Sequence, residues 1–184
     1  MLNLIHALPP FVDEKKGIIN AIVEVSSGSI NKYEIITESG QLKLDRVGYS
    51  SLTYPFTYGA IPCTWDLDND PLDIEIVSII EPLVPGALVE ARVIGAMKFM
   101  DGGEVDDKII AVLASDKRVE HITSIDDLGP HFIEERKYYW ENYKALKKPG
   151  TGVVEEFVGV DEALRIVQES TERYEKTYRP TLQD

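Results

Sequence analysis

The segment Asp66-Leu67-Asp68-Asn69-Asp70-Pro71-Leu72-Asp73 constrains this chain more than any other. Pro71 cannot donate a ladder hydrogen bond, so the stretch reads as a loop that enters a strand at Leu72. From Leu72 to Ile80 the chain is strongly apolar, with acids only at Asp73 and Glu75, and Pro82 and Pro85-Gly86 end the run. Asp68, Asp70 and Asp73, in a D-x-D-x-x-D pattern, should therefore converge at a strand entrance. Acids held this close repel one another unless a cation neutralises them. All the donors are hard oxygens and no His or Cys stands in the run, which favours Mg²⁺, with Mn²⁺ as the alternative.

A second acidic turn, Asp101-Gly102-Gly103-Glu104-Val105-Asp106-Asp107-Lys108, follows. Its two glycines let the backbone fold back, so that Asp101 and Asp106 can face one point. If a strand begins there, its period of two puts Asp106 and Lys108 on one side. A metal-binding acid beside a phosphate-binding lysine suits a substrate made of metal and phosphate. Lys32 and Glu34 alternate onto one face around Tyr33, and Arg46 shares the parity of Leu42 and Leu44. A guanidinium there needs a partner: a phosphate, held by its bidentate fork, or an acid such as Asp45 or Glu24.

The first 150 residues read mainly as strands: Gly17 to Val25, a hairpin of Asn31 to Ile36 and Gln41 to Arg46, Leu72 to Ile80, Ala87 to Phe99 broken by Gly95, and Lys108 to Ala114. Two helices follow. Ile133 to Leu146 carries Ile133, Lys137, Trp140 and Lys144 along one stripe. A last helix, capped by Asp161, runs to about Tyr178. The tail 179–184 should be frayed. The expected fold class is α+β, mainly β: one domain over 1–184 with its core at about 18–178, a small closed barrel and two flanking helices.

Composition excludes several classes. The formal net charge of -13 opposes nucleic acid and anionic lipid, and eleven acids against two bases lie between Asp66 and Asp107. No apolar run approaches a membrane span, the first ten residues lack a signal-peptide pattern, and the single Cys63 suits a reducing cytoplasm. An EF-hand fails because its sixth loop position would be Pro71 and its twelfth Val77. An aspartyl phosphatase needs an apolar strand before Asp68, and Pro62-Cys63-Thr64-Trp65 is not one. His6, His121 and His131 do not cluster in sequence.

Taken together, N-K-Y-E (Asn31 to Glu34), L-K-L-D-R (Leu42 to Arg46), Y-P-x-x-Y-G-x-I-P (Tyr54 to Pro62), D-x-D-P-L-D (Asp68 to Asp73), Pro85-Gly86, V-I-G-A-M-K (Val93 to Lys98), D-D-K (Asp106 to Lys108) and Tyr143-Lys144 resemble the soluble family I inorganic pyrophosphatases, in the family's order. The resemblance implies an OB-like barrel and metal-dependent hydrolysis of pyrophosphate by activated water. It implies that Asp68, Asp73 and Asp106 hold the tightest metal, that Asp101 and Asp106 bind one arriving with substrate, and that Glu34 and Glu24 contact a further ion. Asp70 would be the general base. Lys32, Arg46, Tyr58, Lys108, Tyr143 and Lys144 would hold phosphate oxygens. Prokaryotic members of this length are usually homohexamers, so a homohexamer is expected. The chain departs from the pattern at Asn69, at Thr57, at Gly102, where a second acid is common, and near Thr151 to Val154, where a familiar lysine is missing.

Overall fold

The computed structural model describes residues 3–77 and 81–182. Ten strands form: β1 (Phe11–Asp13), β2 (Ile18–Val25), β3 (Asn31–Ile35), β4 (Leu42–Val47), β5 (Thr57–Ala60), β6 (Asp73–Val77), β7 (Leu88–Asp101), β8 (Glu104–Val105), β9 (Lys108–Leu113) and β10 (Gly152–Val158). The α-helices are α1 (Leu4–Ala7), α2 (Pro130–Asn142) and α3 (Val160–Arg173). The strands β2, β5, β6, β9 and β7 pair in that order, and β7 pairs back onto β2, which closes a five-stranded barrel. The fold is thus mainly β and OB-like, as expected. Every barrel pairing is antiparallel except β6 with β9, where Asp73 lies opposite Lys108. The hairpin β3–β4 forms a separate two-stranded ribbon.

The pleat divides the core. Ile74 and Ile76 of β6 join a buried cluster with Ile109 and Ala111 of β9 and with Ala163, Ile166 and Val167 of α3. Asp73 and Glu75 point the other way, towards the cluster of Phe56, Tyr58, Ile110, Phe99, Phe132, Tyr139 and Trp140 that α2 completes.

Several expectations need correction. Gly95 does not break β7; the strand runs through it with a bulge against β9. A side chain there would strike the Val158 carbonyl at 2.5 Å, so the glycine lets β10 pass close. The helix expected from Ile133 starts at Pro130, whose missing N–H costs nothing in the first turn. It ends at Asn142, so Tyr143 is its C-cap and Lys144 lies beyond. Its buried stripe is Phe132, Arg136, Tyr139 and Trp140, whereas Lys137 is exposed and Leu146 is 77% exposed. A charged residue in that stripe hid its true phase. Asp161 stands in the first turn of α3, where it complements the helix dipole, and Gly159 is the N-cap. The tail forms a 3-10 turn over Arg179–Leu182. The last three residues of the Leu72 to Ile80 run, and Gln183 and Asp184 of the tail, lie outside the described residues. The strands β1, β5, β8 and β10 escaped the sequence reading because each is short or carries polar residues without clean alternation.

Strand β5 sits between β2 and β6, and a Cβ on Gly59 would lie 2.1 Å from the Ile22 carbonyl oxygen, its three nearest atoms all being backbone of β2. Gly59→Ala should therefore destabilise the fold by about 2–3 kcal/mol. That corresponds to a melting temperature lower by about 5–10 °C in a circular-dichroism melt. An unshifted melt would mean that the barrel can open there without cost.

Candidate active site

The loop before β6 is held by its own backbone. Asp66 N–H donates to the Asp70 carbonyl (2.7 Å) and Asn69 N–H to the Asp66 carbonyl (3.3 Å). Asn69 takes a left-handed conformation (φ 68°), which Asn tolerates. Asp70 N–H donates to Asp68 Oδ1 (3.1 Å), and buried Thr64 accepts Leu72 N–H (2.9 Å) while donating to the Ile61 carbonyl (2.6 Å). The acids thus sit on a fixed rim. The second acidic turn is the tight β7–β8 hairpin, where Asp101 pairs with Glu104 across Gly102 and Gly103, both at positive φ. Because β6 and β9 run parallel, the two acidic segments arrive at the same end of the barrel.

There they line a cavity of about 300 Å³. Glu24, Lys32, Glu34, Arg46, Tyr58, Asp68, Asp70, Asp73, Asp101, Asp106, Tyr143 and Lys144 all border it. Lys108 alone of the expected residues does not; it is fully buried directly behind the rim. Its ammonium donates to Asp73 and Asp106 and lies 5.1 Å from the Trp140 ring and 5.7 Å from those of Tyr58 and Phe99. Tyr58 donates to Asp73, Lys32 to Glu34 and Lys144 to Asp101, which also accepts from Tyr143 Oη (3.3 Å). Arg46 bonds Asp45 (2.5 Å), one of the acid partners considered for it, while still facing the cavity. Glu24 accepts the Ile35 N–H (2.8 Å) and so ties the β3–β4 ribbon to the barrel.

The cavity's electrostatics follow from burial and crowding. Burial, with Asp106 and Asp73 close by, raises Asp68 to about 7. Burial, then Asp73 and Asp68, does the same to Asp70, also to about 7, although that residue's outer surface is exposed. Glu24 rises to about 8, again by burial and then by Asp73. Burial would discharge Lys108, but Asp73 and Asp106 outweigh it and hold the proton firmly. Burial also lifts Asp101, yet the hydrogen bond and charge of Lys144 bring it below the usual carboxylate range.

Among the described residues, no three acids are drawn together as a ready cation-binding group. The convergence expected of Asp68, Asp70 and Asp73 is therefore a shared cavity rather than a single point. The ammonium groups of Lys32, Lys108 and Lys144 stand among the carboxylates as their counter-charges. A set of hard oxygens, several unable to ionise freely without a neutralising charge, fits a hard divalent cation.

Sequence reading missed four lining residues: Tyr54, Asn69, Glu104 and Trp140. Tyr54 opens the Y-P-x-x-Y segment, and Glu104 lies in the acidic turn, so both had a signal. Glu104 also brings a carboxylate to the side of the cavity where Gly102 leaves one out. Trp140 had no signal beyond apolar spacing.

A small barrel whose mouth gathers acids, ammonium groups and phenols around such a cavity is built to hold a compact, multiply charged anion together with cations. Residues 21–175 match the family model for inorganic pyrophosphatase. The chain is 41% identical over 165 residues to "Soluble inorganic pyrophosphatase 5" of Arabidopsis thaliana, covering 90% of this chain and 76% of that one. It is 41% identical over 160 residues to an inorganic pyrophosphatase of Nostoc sp., covering 87% and 94%. The crystal structure of an inorganic pyrophosphatase from Neisseria gonorrhoeae superposes with a TM-score of 0.90 at 40% identity, covering 94% and 99%. The chain belongs to the inorganic pyrophosphatase family. It is a hydrolase of a phosphoanhydride bond, an inorganic diphosphatase acting on pyrophosphate.

Removing Lys108 leaves Asp73 and Asp106 without their shared counter-charge. Lys108→Met should lower the unfolding free energy of the metal-free protein by about 3 kcal/mol, read from urea denaturation in EDTA. Unchanged stability would mean that the lysine contributes nothing to holding the acids together.

Proposed function

We propose that the chain hydrolyses pyrophosphate to two orthophosphates with a divalent cation, Mg²⁺ or in its place Mn²⁺, and with Asp70 as general base. The observation that carries this reading is the single cavity on which the acids and cations of two sequence-distant segments, the ribbon and the end of α2 all open. The residues form one functional domain over 1–184 with its core at about 18–178.

Asp68, Asp73 and Asp106 would hold the tightest cation, Asp101 with Asp106 another, and Glu34 with Glu24 a further one or its waters. Bound there, the cations supply neutralising charge and acidify water. Asp70, on the exposed lip of the loop, accepts the proton of the attacking water and orients it. Lys32, Arg46, Lys108 and Lys144 bind phosphate oxygens, and Tyr58 and Tyr143 donate hydrogen bonds to them. Lys32, Lys108 and Lys144, now paired with acids, would be free for this role where divalent cations held at those acids supplied the neutralising charge instead. Pyrophosphate carries several negative charges that repel a nucleophile, so most of the catalytic effect is neutralisation and positioning.

The net charge of -13 supports a protein without nucleic-acid or membrane partners. No helix among the described residues is long and apolar enough to cross a membrane. We place the enzyme in the cytoplasm, as a homo-oligomer, on the family resemblance a hexamer.

Two outcomes test this. Phosphate release from pyrophosphate should be fast with Mg²⁺ and abolished by excess EDTA. Asp70→Asn should keep the fold and lose about 10²–10⁴-fold in kcat, because an amide cannot take the proton. Near-normal turnover of that variant removes Asp70 from the base role.

Cation binding should also be visible without turnover. Mg²⁺ at about a hundredfold over its Kd should stabilise the protein by about 2.7 kcal/mol. The melting temperature then rises by about 5–10 °C, reversibly with EDTA. In Asp73→Ala that rise should shrink to near nothing; a full rise would place the cation elsewhere.

A further inference from the structure

Two residues after Asp73, the same face of β6 carries a second acid, Glu75, which is completely buried, outside the cavity, and absent from the roles above. Its Oε1 accepts the Trp140 indole N–H (2.6 Å) and its Oε2 accepts Arg136 Nε–H (3.2 Å). Arg136 and Trp140 lie one turn apart on α2 and are 3% and 2% exposed. Phe132 and Phe56 flank the guanidinium at 4.2 and 4.8 Å, and its Nη1 donates outward to the exposed Glu135 (2.6 Å), so the bond to Glu75 lies on the inner, aromatic side of Arg136.

A buried ion pair is weak evidence of a role in stability, because apolar side chains of similar volume often do as well. What an apolar pair cannot supply is an acceptor for the indole N–H. The Trp140 ring faces Lys108 Nζ at 5.1 Å, forms one wall of its aromatic cage with Tyr58 and Phe99, and meets Tyr143 edge-on at 5.0 Å. An indole free to rotate would present an edge rather than a face and would move the site where the ammonium rests.

We propose that Glu75 is a positioning residue for Lys108: its carboxylate fixes the indole of Trp140, and the indole face sets where the ammonium stands behind the cavity rim. Arg136 neutralises that carboxylate and has no direct part in placing Lys108. The inference rests on Lys108 as a phosphate contact, as proposed above.

The test separates tether from stability. Arg136→Met breaks the ion pair but leaves Glu75 to accept the indole N–H, so it should melt well below the parent and keep kcat/KM within about threefold. Glu75→Leu/Arg136→Met restores an apolar interior but removes the acceptor. It should melt above Arg136→Met, yet lose about tenfold in kcat/KM for magnesium pyrophosphate, mainly through KM. If the double variant does not fold, Trp140→Phe, which keeps a ring but no N–H, should show the same KM increase. A kcat/KM in the double variant equal to or above that of the single variant, or an unchanged KM in Trp140→Phe, overturns the proposal. Lys108→Met, assayed alongside, identifies which claim has failed. A raised KM there with none in the double variant removes only the role of Glu75. An unchanged KM in both removes the phosphate role of Lys108 as well.

Discussion

The parallel pairing of β6 with β9 is the constraint on which the site depends. It is the one parallel contact in an otherwise antiparallel barrel, and it sets Asp73 directly opposite Lys108. Parallel neighbours start at the same end, so the loop preceding each strand opens on the same rim. The acids of residues 66–73 and those of residues 101–107 are thereby brought together, although residues 74–100 separate them. An antiparallel pairing would send the two acidic segments to opposite ends of the barrel, with no common cavity.

That convergence is electrostatically costly, and the structure offsets it locally. Lys108 is buried between Asp73 and Asp106, Lys144 meets Asp101 and Lys32 meets Glu34. The acids that lack a direct cation, Asp68, Asp70 and Glu24, are the ones pushed to about 7 or 8. A doubly charged cation placed among them reverses the push, because it favours the ionised form of every acid it touches. Substrate and cations are thus coupled in this reading: neutralising the acids frees the ammonium groups that phosphate needs.

The acids, lysines and tyrosines picked out by the ordered motifs line one cavity, except Lys108, which stands behind it. The β3–β4 hairpin, β9 and the long β7 were also visible as apolar runs between glycine and serine turns. A closed barrel was expected, but not the means of closing it: β5, whose TYGA sequence carries a glycine where backbones press together, and the return of β7 to β2 were not read. The phase of α2 was hidden for a related reason. Arg136 counts as polar in any periodicity, yet it is buried because Glu75, sixty-one positions earlier, supplies its counter-charge. Periodicity reads one segment at a time and cannot register a pair of charges that cancel across the core.

Acids and bases also come from different kinds of scaffold. Asp73 and Asp101 stand on strands paired on both sides, while Asp68, Asp70 and Asp106 stand in the adjoining loops, which are held by hydrogen bonds such as Asp66 N–H to the Asp70 carbonyl and Asp106 N–H to the Phe99 carbonyl. Lys32 and Arg46 come from the ribbon, and Tyr143 and Lys144 from just past the end of α2, parts that reach the barrel through fewer contacts such as the Glu24 to Ile35 N–H bond. Repelling carboxylates need the stiffer support, since Asp73 and Asp106 share a single ammonium, Lys108, while Asp68 and Asp70 are held by the backbone of their loop. Groups that meet an anion are drawn in by it and need less. Lys108 is the exception, a base rooted in the barrel wall beside the acids, and it is the one provided with an aromatic cage. In the proposed function Lys108 exchanges carboxylate for phosphate partners without leaving the interior, which calls for a third surface indifferent to which anion is present, and the ring faces of Tyr58, Phe99 and Trp140 supply one.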